Sequence, residues 1–492
     1  MTNLKTLKLP SKNIFDISNM CYNKQKLVTT YNGEDVTNMA YSYFRCYNIT
    51  EAACGPNVVN MHNAYYGCSK IKGAAICGLN VVDMSHAYDY CTNITEAVCG
   101  PNVINMEYAY YYCINLNGSA VCGPNVTNMI YAYSNCYNLK EAVCGPNVTN
   151  MAYAYYYCNN LTGSAACGPN VTNMAYAYYR CRNLTKAVCG NNVTNMTYAY
   201  YDCNKLTEAA CGPNVTDMSN TYRYCINLTE AVCGDNVQSM YNTYGDCYNL
   251  QTAACGNNVQ SMYNTYRNCI NLISAACGPN VLYMSNTYWN CYNLQTAACG
   301  DKATSMDNTY MNCYNLQTAA CGNNVQTMYN TYWNCYNLTK AVIGPNVITL
   351  YKTYENCVKL QEAKCTDKVS SMYFAYSNCP LLTKAEIGTN VINLYCAYYN
   401  CPNIHGNIYL HMNNIPVYNL TNCFYGRNNS NTLNIYVPKN STTLNSVINT
   451  TASSFLGISV SWVNSMASTN CYYNSYYNIY IYPVNNVRDF YE

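Results

Sequence analysis

Residues 136–158 read CYNLKEAVCGPNVTNMAYAYYYC, and variants of this stretch follow one another along most of the chain. Each variant ends with a tyrosine three residues before a cysteine, here Tyr155 and Cys158. This pair recurs seventeen times, every 22 or 23 residues. The cysteines concerned are termed the register cysteines: Cys46, Cys68, Cys91, Cys113, Cys136, Cys158, Cys181, Cys203, Cys225, Cys247, Cys269, Cys291, Cys313, Cys335, Cys357, Cys379 and Cys401. A fixed period of this length is typical of a solenoid, whose coils bury their apolar faces against one another.

Columns of apolar residues recur at constant offsets from the register cysteine. In the quoted coil they are represented by Leu139, Val148 and Met151, and a small residue precedes the tyrosine. Large and small positions at fixed offsets predict interlocking coils with a packed core. The alternating segment 139–144 predicts a short strand, and Gly-Pro-Asn predicts a turn after it. We therefore predict a repeat solenoid with one long parallel β-sheet of short strands.

These columns resemble the coil of the BspA-like, or Treponema-type, leucine-rich repeat. That coil has a leucine, a short apolar strand ending in a proline turn, a V-x-x-I pair and then A-F-x-x-C. The matching residues here are Leu139, Ala142, Cys144, Pro146, Val148, Met151, Ala154, Tyr155 and Cys158, and residues 4–10, LKTLKLP, are closer still to the family form. The departures (Cys in the strand, Met for Ile, Tyr for Phe) are systematic, and we interpret them as drift of one ancestral repeat. The resemblance implies a right-handed coil whose side opposite the sheet is irregular or forms short helices.

The length of the coil alternates in the first half of the chain. Spacings between register cysteines run 22, 23, 22, 23, 22, 23, 22 from Cys46 to Cys203 and are 22 afterwards. The longer coils contain Gly73, Gly118 and Gly163. A single extra residue beside glycine predicts a β-bulge in alternate strands.

Changes in regularity suggest three regions. Residues 1–45 are assigned to N-terminal repeats and a cap, residues 46–401 to the regular solenoid, and residues 402–492 to degenerate repeats and a C-terminal cap. Three stretches of the last region, 406–410, 433–438 and 478–483, each predict one further strand, and a Ser/Thr/Asn-rich stretch lies at 441–454. Solenoids need an atypical terminal unit to cover their last apolar face.

Most of the 35 cysteines fall in two columns, the register column and a strand column that includes Cys144. Ile343 and Ile387 take the strand slot in two coils, so the slot favours an apolar side chain. We predict that these cysteines are small buried hydrophobes and not disulfides. A spacing of eight or nine residues within a coil is unlike the C-x-x-C pairs of structural zinc, so no metal and no cofactor is expected. The asparagines at the turns, such as Asn48 and Asn57, are expected to form buried ladders to backbone groups of the next coil.

Composition and motifs argue against several classes of function. Charged residues are 10% of the chain and the net charge is +2, so no basic stripe is available for nucleic acid. The start of the chain has no apolar signal segment, and no run is long enough for membrane insertion, so we expect folding in the cytoplasm. Among the four histidines, His62 and His86 stand at variable positions and are predicted to be solvated. No nucleophile with a positioned base is recognisable, so we predict that the protein is not an enzyme.

Two columns vary while their neighbours stay constant, which is expected of exposed positions. They lie two and five residues before the register cysteine. Their aromatic members form the candidate binding surface: Tyr66, Tyr108, Tyr111, Tyr153, Tyr156, Tyr176, Tyr179, Tyr198, Tyr201, Trp289 and Trp333. Tyrosine and tryptophan beside amide groups suit stacking on sugar rings or a protein interface. The alternative is a purely structural role, in which these tyrosines only cover the edge of each coil.

The functional prediction is a recognition or adhesion scaffold that binds a host-surface glycan or protein. The family resemblance and the Asn/Tyr-rich composition favour a phage-encoded protein on the virion surface, such as a tail or receptor-binding component. One alternative is a cell-surface adhesin of the same family. Another is a structural subunit that joins end to end into filaments or binds other virion proteins. An ice-binding solenoid is a distant further alternative, because the threonine column that includes Thr149 and Thr172 is short.

Overall fold

The computed structural model describes residues 4–6, 12–31, 33–297, 299–319, 321–428, 430–439, 441–444, 472–474, 479–484 and 487. The chain divides into two compact units, Met1–Leu250 and Gln251–Glu492. Each unit is a β-solenoid of stacked coils joined by parallel backbone pairing, so the predicted repeat solenoid is confirmed. Residues 7–10 of the N-terminal motif and residues 445–454 of the polar stretch lie outside the described residues.

Five short strands are found among the described residues of the first unit. They are β1 (Gly73–Ala74), β2 (Ile94–Glu96), β3 (Gly163–Ser164), β4 (Leu184–Lys186) and β5 (Glu230–Ala231). β1 pairs in parallel with β2, and β3 with β4.

The predicted bulges are present in two of the longer coils. Gly73 pairs with Ile94 whereas Ala74 pairs with Glu96, so the register shifts by one residue between them. The same shift occurs between Gly163 and the serine that follows it. Gly73 and Gly163 have φ values of 79° and 73°, in the left-handed region that glycine adopts without steric cost.

A second column of parallel pairing runs along each unit at the residue before the methionine column. In the first unit, single-residue bridges link Asp16 to Asn38, Asn38 to Asn60, and so on as far as Ser239. The second unit repeats this pattern between Ser261 and Asn393. Parallel pairing therefore runs in two columns, with short strands in one and bridges in the other.

The six residues before each register cysteine, termed the turn segment, form the irregular side of the coil. Their N–H groups alternate in direction. The N–H of Tyr110 donates to the carbonyl of Ala132 in the following coil at 2.8 Å, whereas the N–H of Tyr111 donates back to Tyr108 at 3.1 Å. Tyr108 and Tyr112 have φ values of 53° and 60°, and the equivalent positions of the other coils are also left-handed. The backbone is therefore satisfied without a helix, as the family resemblance allowed.

The second unit begins with four strands in uniform register. They are β6 (Thr252–Ala253), β7 (Ser274–Ala275), β8 (Thr296–Ala297) and β9 (Thr318–Ala319), each paired in parallel with the next. The coils that contain these four strands are 22 residues long, so each strand residue pairs with the residue at the same position of the following coil.

A four-stranded sheet lies near the end of the second unit. It consists of β10 (Gly406–Tyr409), β11 (Leu433–Pro438), β12 (Tyr472–Asn474) and β13 (Ile479–Val484), and a 3₁₀ helix spans Val417–Leu420. Strands β10, β11 and β13 confirm the three predicted strands, apart from small differences at their ends. β12 was not predicted and runs antiparallel to β13.

The core of each unit is made by the columns read from the sequence. In one coil, Val103, Met106, Tyr110, Cys113 and Leu116 are all at most 1% exposed. The register cysteines are buried as predicted, whereas the strand-column cysteines among the described residues are only half-buried. All cysteines among the described residues are free thiols.

The turn asparagines differ from the prediction in two respects. The amide of Asn48 donates to the carbonyl of Gln25 at 2.6 Å, and that of Asn57 donates to Glu34 at 2.8 Å. These bonds reach the preceding coil and not the next one. Asn57 is also exposed and Asn48 only half-buried, because the amide caps a carbonyl at the surface of the turn.

Candidate recognition surface

In several coils the buried tyrosine three residues before the register cysteine ties the turn segment to the residues that follow the strand. The hydroxyl of Tyr88 accepts the N–H of Ile76 at 3.0 Å and donates to the carbonyl of the same residue at 2.5 Å. Burial raises the pKa of Tyr88 well above its ordinary value, so the group stays a neutral donor. Phenylalanine could make neither bond. The Tyr-for-Phe departure, which we interpreted as drift, therefore has a structural role.

The column five residues before the register cysteine supplies four of the nine candidate tyrosines. Tyr108, Tyr131, Tyr153, Tyr176 and Tyr198 form a continuous stack, termed the long stack, with ring centroids 4.3–4.5 Å apart and planes 6–15° from parallel. The ring of His86 stacks on Tyr108 at 4.5 Å and continues it. All these residues have left-handed φ values.

The column two residues before the register cysteine supplies a second stack beside the first. Tyr156, Tyr179 and Tyr201, termed the short stack, have centroids 4.8 and 4.6 Å apart. Tyr156 meets Tyr153 of the long stack at 5.6 Å, and Tyr179 meets Tyr176 at 5.8 Å. The two stacks together are termed the tyrosine band.

Stacking changes what the tyrosine band can offer a ligand. Each interior ring is covered on both faces by its neighbours, so ring edges and hydroxyls are what remain accessible on these half-buried residues. Burial raises the pKa of Tyr156, Tyr176 and Tyr201 to about 12. The hydroxyls therefore stay protonated across ordinary pH. A hydroxyl-bearing edge suits hydrogen bonding, whereas the covered faces do not suit stacking on a sugar ring.

Tyr66 and Tyr111 lie outside the two stacks. Tyr111 packs against Tyr108 at 5.4 Å with a tilt of 54°. Tyr66 stacks on Phe44 at 4.6 Å and meets Tyr90 at 5.8 Å with a tilt of 58°.

The two candidate tryptophans belong to the second unit and are half-buried. The guanidinium of Arg267 lies 4.3 Å from the ring centroid of Trp289, and the ammonium of Lys352 lies 5.7 Å from that of Trp333. Each ring thus already has a cation on one face. The asparagines at the left-handed position of this unit, such as Asn264 with φ 57°, follow from the backbone, since asparagine tolerates this region best after glycine.

His62 and His86 were predicted to be solvated, and that prediction was wrong. His62 is half-buried, and its Nδ1 lies 2.7 Å from the Ser85 hydroxyl and its Nε2 3.1 Å from the Tyr41 hydroxyl. His86 Nδ1 lies 2.8 Å from the carboxylate of Asp89, which is 3% exposed. His62 is held by the turn segments of the neighbouring coils, whereas His86 is held by Asp89 of its own turn segment and by the ring of Tyr108 in the following coil. Burial lowers the pKa of His62 and raises that of Asp89.

Metal-binding clusters and membrane-spanning helices are both absent from the part of the chain that the structure describes. In it, no three His, Cys, Asp or Glu side chains are grouped so that they could hold a metal ion. Nor does this part contain a helix with the length and apolar character needed to cross a membrane.

Solved structures that resemble the chain are leucine-rich-repeat proteins. One from Bacteroides ovatus is 15% identical, with a TM-score of 0.46 over 64% of this chain and 84% of that chain. A leucine-rich cell surface protein from Faecalibacterium prausnitzii is 16% identical, with a TM-score of 0.34 over 58% and 82%. The T. pallidum leucine-rich repeat protein is 18% identical, with a TM-score of 0.21 over 41% and 76%. No curated protein matches the sequence.

The sequence profile of the BspA type leucine rich repeat region matches in six overlapping copies. They cover residues 1–95, 84–174, 129–251, 172–291, 241–361 and 329–456. These matches span most of the chain and agree with the columns of the coil. The chain belongs to the BspA-type leucine-rich-repeat family.

Proposed function

We propose that the protein is a non-enzymatic recognition scaffold and that its tyrosine band binds a protein partner. The observation that carries this proposal is the pair of adjacent stacks, which hold eight tyrosines with their edges and hydroxyls at the surface. The long stack extends over about 18 Å, from four spacings of 4.3–4.5 Å.

The physical basis is low entropic cost combined with hydrogen-bonding capacity. A tyrosine already stacked between two others has few rotamers left to lose when a partner binds. Its hydroxyl can donate and accept, and tyrosine is enriched at protein interfaces for these reasons. The edge presentation favours a protein over a glycan as the partner of this band, because stacked faces cannot cover a sugar ring.

The setting we propose is a surface, either of a virion, as a tail or receptor-binding component, or of a cell. Family membership and the repeat scaffold support a surface role. Mass spectrometry of purified particles tests the virion setting directly, since a genuine component must be present in stoichiometric amount. Assembly into end-to-end filaments is the alternative, and it requires fibres that grow with concentration. A single monomer boundary in sedimentation velocity would reject it.

The binding proposal is tested with fluorescent full-length protein on envelopes of candidate host cells. Tyr156→Ser and Tyr179→Ser, alone and combined, remove hydroxyl-bearing edges from the short stack, and binding should fall at least tenfold for the pair. Tyr248→Ser is the matched control, because Tyr248 is an exposed tyrosine of the same unit that belongs to neither stack. Protease treatment of the envelopes should abolish binding, whereas glycosidase treatment should not. Binding that survives the double substitution refutes the proposal.

A further inference from the structure

One coil of the first unit departs from the repeat at a position where the departure leaves a cavity. The residue before each register cysteine has a left-handed φ and carries a side chain in every coil but one. In that coil the residue is Gly67, with φ 73°. Its neighbours in the same column are Arg45 in the preceding coil and Tyr90 in the following coil.

The missing side chain opens a cavity of about 390 Å³. Its lining consists of Arg45, Tyr47, Tyr66, Gly67, Ser69, Tyr90 and Thr92. This volume lies within the range of small-molecule sites. A Cβ at Gly67 would lie 3.6 Å from the side chains of Arg45 and Tyr47, which is ordinary contact. Glycine is thus not required by crowding there, and its effect is to leave the space open.

The tyrosine rings of this cavity are less covered by neighbouring rings than those of the tyrosine band. Tyr66 is stacked on Phe44 on one side, and the equivalent position of the next coil is Asp89, which has no ring to cover the other side. Tyr47 and Tyr90 are each 39% exposed. The cavity therefore combines partly open tyrosine rings with the hydroxyls of Ser69 and Thr92.

The lining of the cavity includes one cationic side chain, that of Arg45. Arg45 is exposed, its guanidinium lies 5.4 and 5.9 Å from the ring centroids of Phe44 and Tyr66, and within the described residues it has no carboxylate partner. No acidic side chain is part of the lining. Asp89 is turned into the interior and bonded to His86.

We propose that this cavity binds an acidic monosaccharide unit, with the guanidinium of Arg45 on its carboxylate and Tyr66 and Tyr90 against its ring. An arginine fork matches a carboxylate in two hydrogen bonds. Tyrosine rings cover the apolar face of a sugar, and the serine and threonine hydroxyls pair with its hydroxyl groups. An acidic sugar unites all three features, whereas a neutral sugar leaves the arginine unpaired and a simple anion leaves the rings uncovered. The site is independent of the tyrosine band and of the protein partner proposed for it.

The test is isothermal titration of the full chain with two matched pairs of probes. Glucuronate is compared with glucose, and N-acetylneuraminate with its methyl ester, so that each pair differs in the carboxylate alone. At least one acid should bind, and its neutral counterpart should bind roughly tenfold or more weakly. Equal affinity within both pairs, or no binding of either acid, overturns the proposal. Tighter binding of an acidic peptide than of either acid overturns it as well.

Two variants locate the site. Gly67→Asn fills the cavity with the residue that other coils carry at this left-handed position, such as Asn135 with φ 61°, and should abolish binding of the acid. Arg45→Gln keeps the cavity but removes the charge, and should weaken the acid to the level of its neutral counterpart. Lys205→Gln, an exposed charge of the same unit, is the control and should change nothing. Unchanged affinity in Gly67→Asn with an unaltered thermal unfolding curve refutes the assignment, and envelope binding through the tyrosine band should be intact in every variant.

Discussion

The hydroxyl of Tyr200 donates to the carbonyl oxygen of Val188 at 2.6 Å and accepts the N–H of the same residue at 3.2 Å. One side chain thereby satisfies both backbone groups of a residue two positions beyond the end of β4, where the parallel pairing has stopped. The same arrangement recurs in other coils, so the buried tyrosines replace part of the pairing that a longer strand would have supplied.

Tyr200→Phe should therefore cost about 1–3 kcal/mol of local stability, because it leaves a half-buried donor and acceptor without a partner. The measurement is amide hydrogen exchange. The exchange rate at Val188 should increase more than the rate at the equivalent residue of distant coils, which also precedes a strand-column cysteine. Tyr201→Phe is the control, since its hydroxyl lies at the surface of the tyrosine band. If exchange at Val188 is unaffected by Tyr200→Phe, the tyrosines are only space-filling.

The asparagines with left-handed φ values in the second unit should stabilise the protein in two ways: they tolerate this backbone conformation, and their side chains form hydrogen bonds. Asn334 has φ 62°, donates to Asn312 at 2.7 Å and accepts from Asn356 at 2.7 Å. Substitution to alanine or glycine removes both ladder bonds, but alanine also acquires left-handed strain. We expect Asn334→Ala to be less stable than Asn334→Gly by about 0.5–1 kcal/mol in urea unfolding.

Asn337 provides the matched control for this comparison. It belongs to another asparagine ladder and donates to Asn315 at 3.0 Å, yet its φ is not left-handed. Here glycine should be the less stable substitution, because it costs more backbone entropy than alanine. If the alanine and glycine variants had the same order of stability at both positions, the role assigned to the left-handed backbone would be contradicted.

Alkaline pH should destabilise the protein through its thiols. Burial raises the pKa of Cys144 to about 11 and of Cys189 to about 12, from an ordinary value of 9. Because the unfolded thiol releases its proton first, the stabilising contribution is complete below pH 9 and declines from there to the folded pKa. At pH 10 each such thiol should cost about 1 kcal/mol in urea unfolding. Cys144→Ile introduces the residue found at position 343 of the same column. It should remove the contribution of Cys144 to the loss of unfolding free energy at high pH.

Mild acid should act on the coils around His62. Burial lowers the pKa of His62, with the carboxylates of Asp83 and Glu107 opposing the shift and His86 adding to it. The unfolded imidazole therefore takes up a proton before the folded one, and stability is lost as pH falls through 6.5. Unfolding measured at pH 7.5 and pH 5.5 should differ less in His62→Gln than in the parent.

The fold could be predicted from the sequence because every buried position recurs in many coils. Val103, Met106 and Tyr110 each represent a column whose offset is the same in every coil, so accidental substitutions do not obscure it. The bulges at Gly73 and Gly163 were predictable too, since an extra residue in a fixed period has few places to go.

The candidate site was only partly predictable, because it depends on how side chains meet between coils. Variation at Tyr153 and Tyr156 indicated surface positions, but not that the rings stack and hide their faces. His62 and His86 looked solvated because their partners, Ser85 and Asp89, lie in the adjacent coil or three residues away. The cavity at Gly67 does have a signal in the sequence, because Gly67 is the single glycine in a column of larger residues.

The register shifts at Gly73 and Gly163 bear on how such a chain can change length through gene duplication. Each shifted coil of 23 residues is followed by an unshifted one of 22, so the smallest stretch that restores the same strand alignment in this region is a pair of coils. From Cys203 to Cys401, where every coil has 22 residues, a single coil is sufficient. Unequal crossing-over can therefore add or remove coils one at a time in the second unit. In the region of alternating spacing it must do so in pairs, which keeps the tyrosine band and its supporting strands in step.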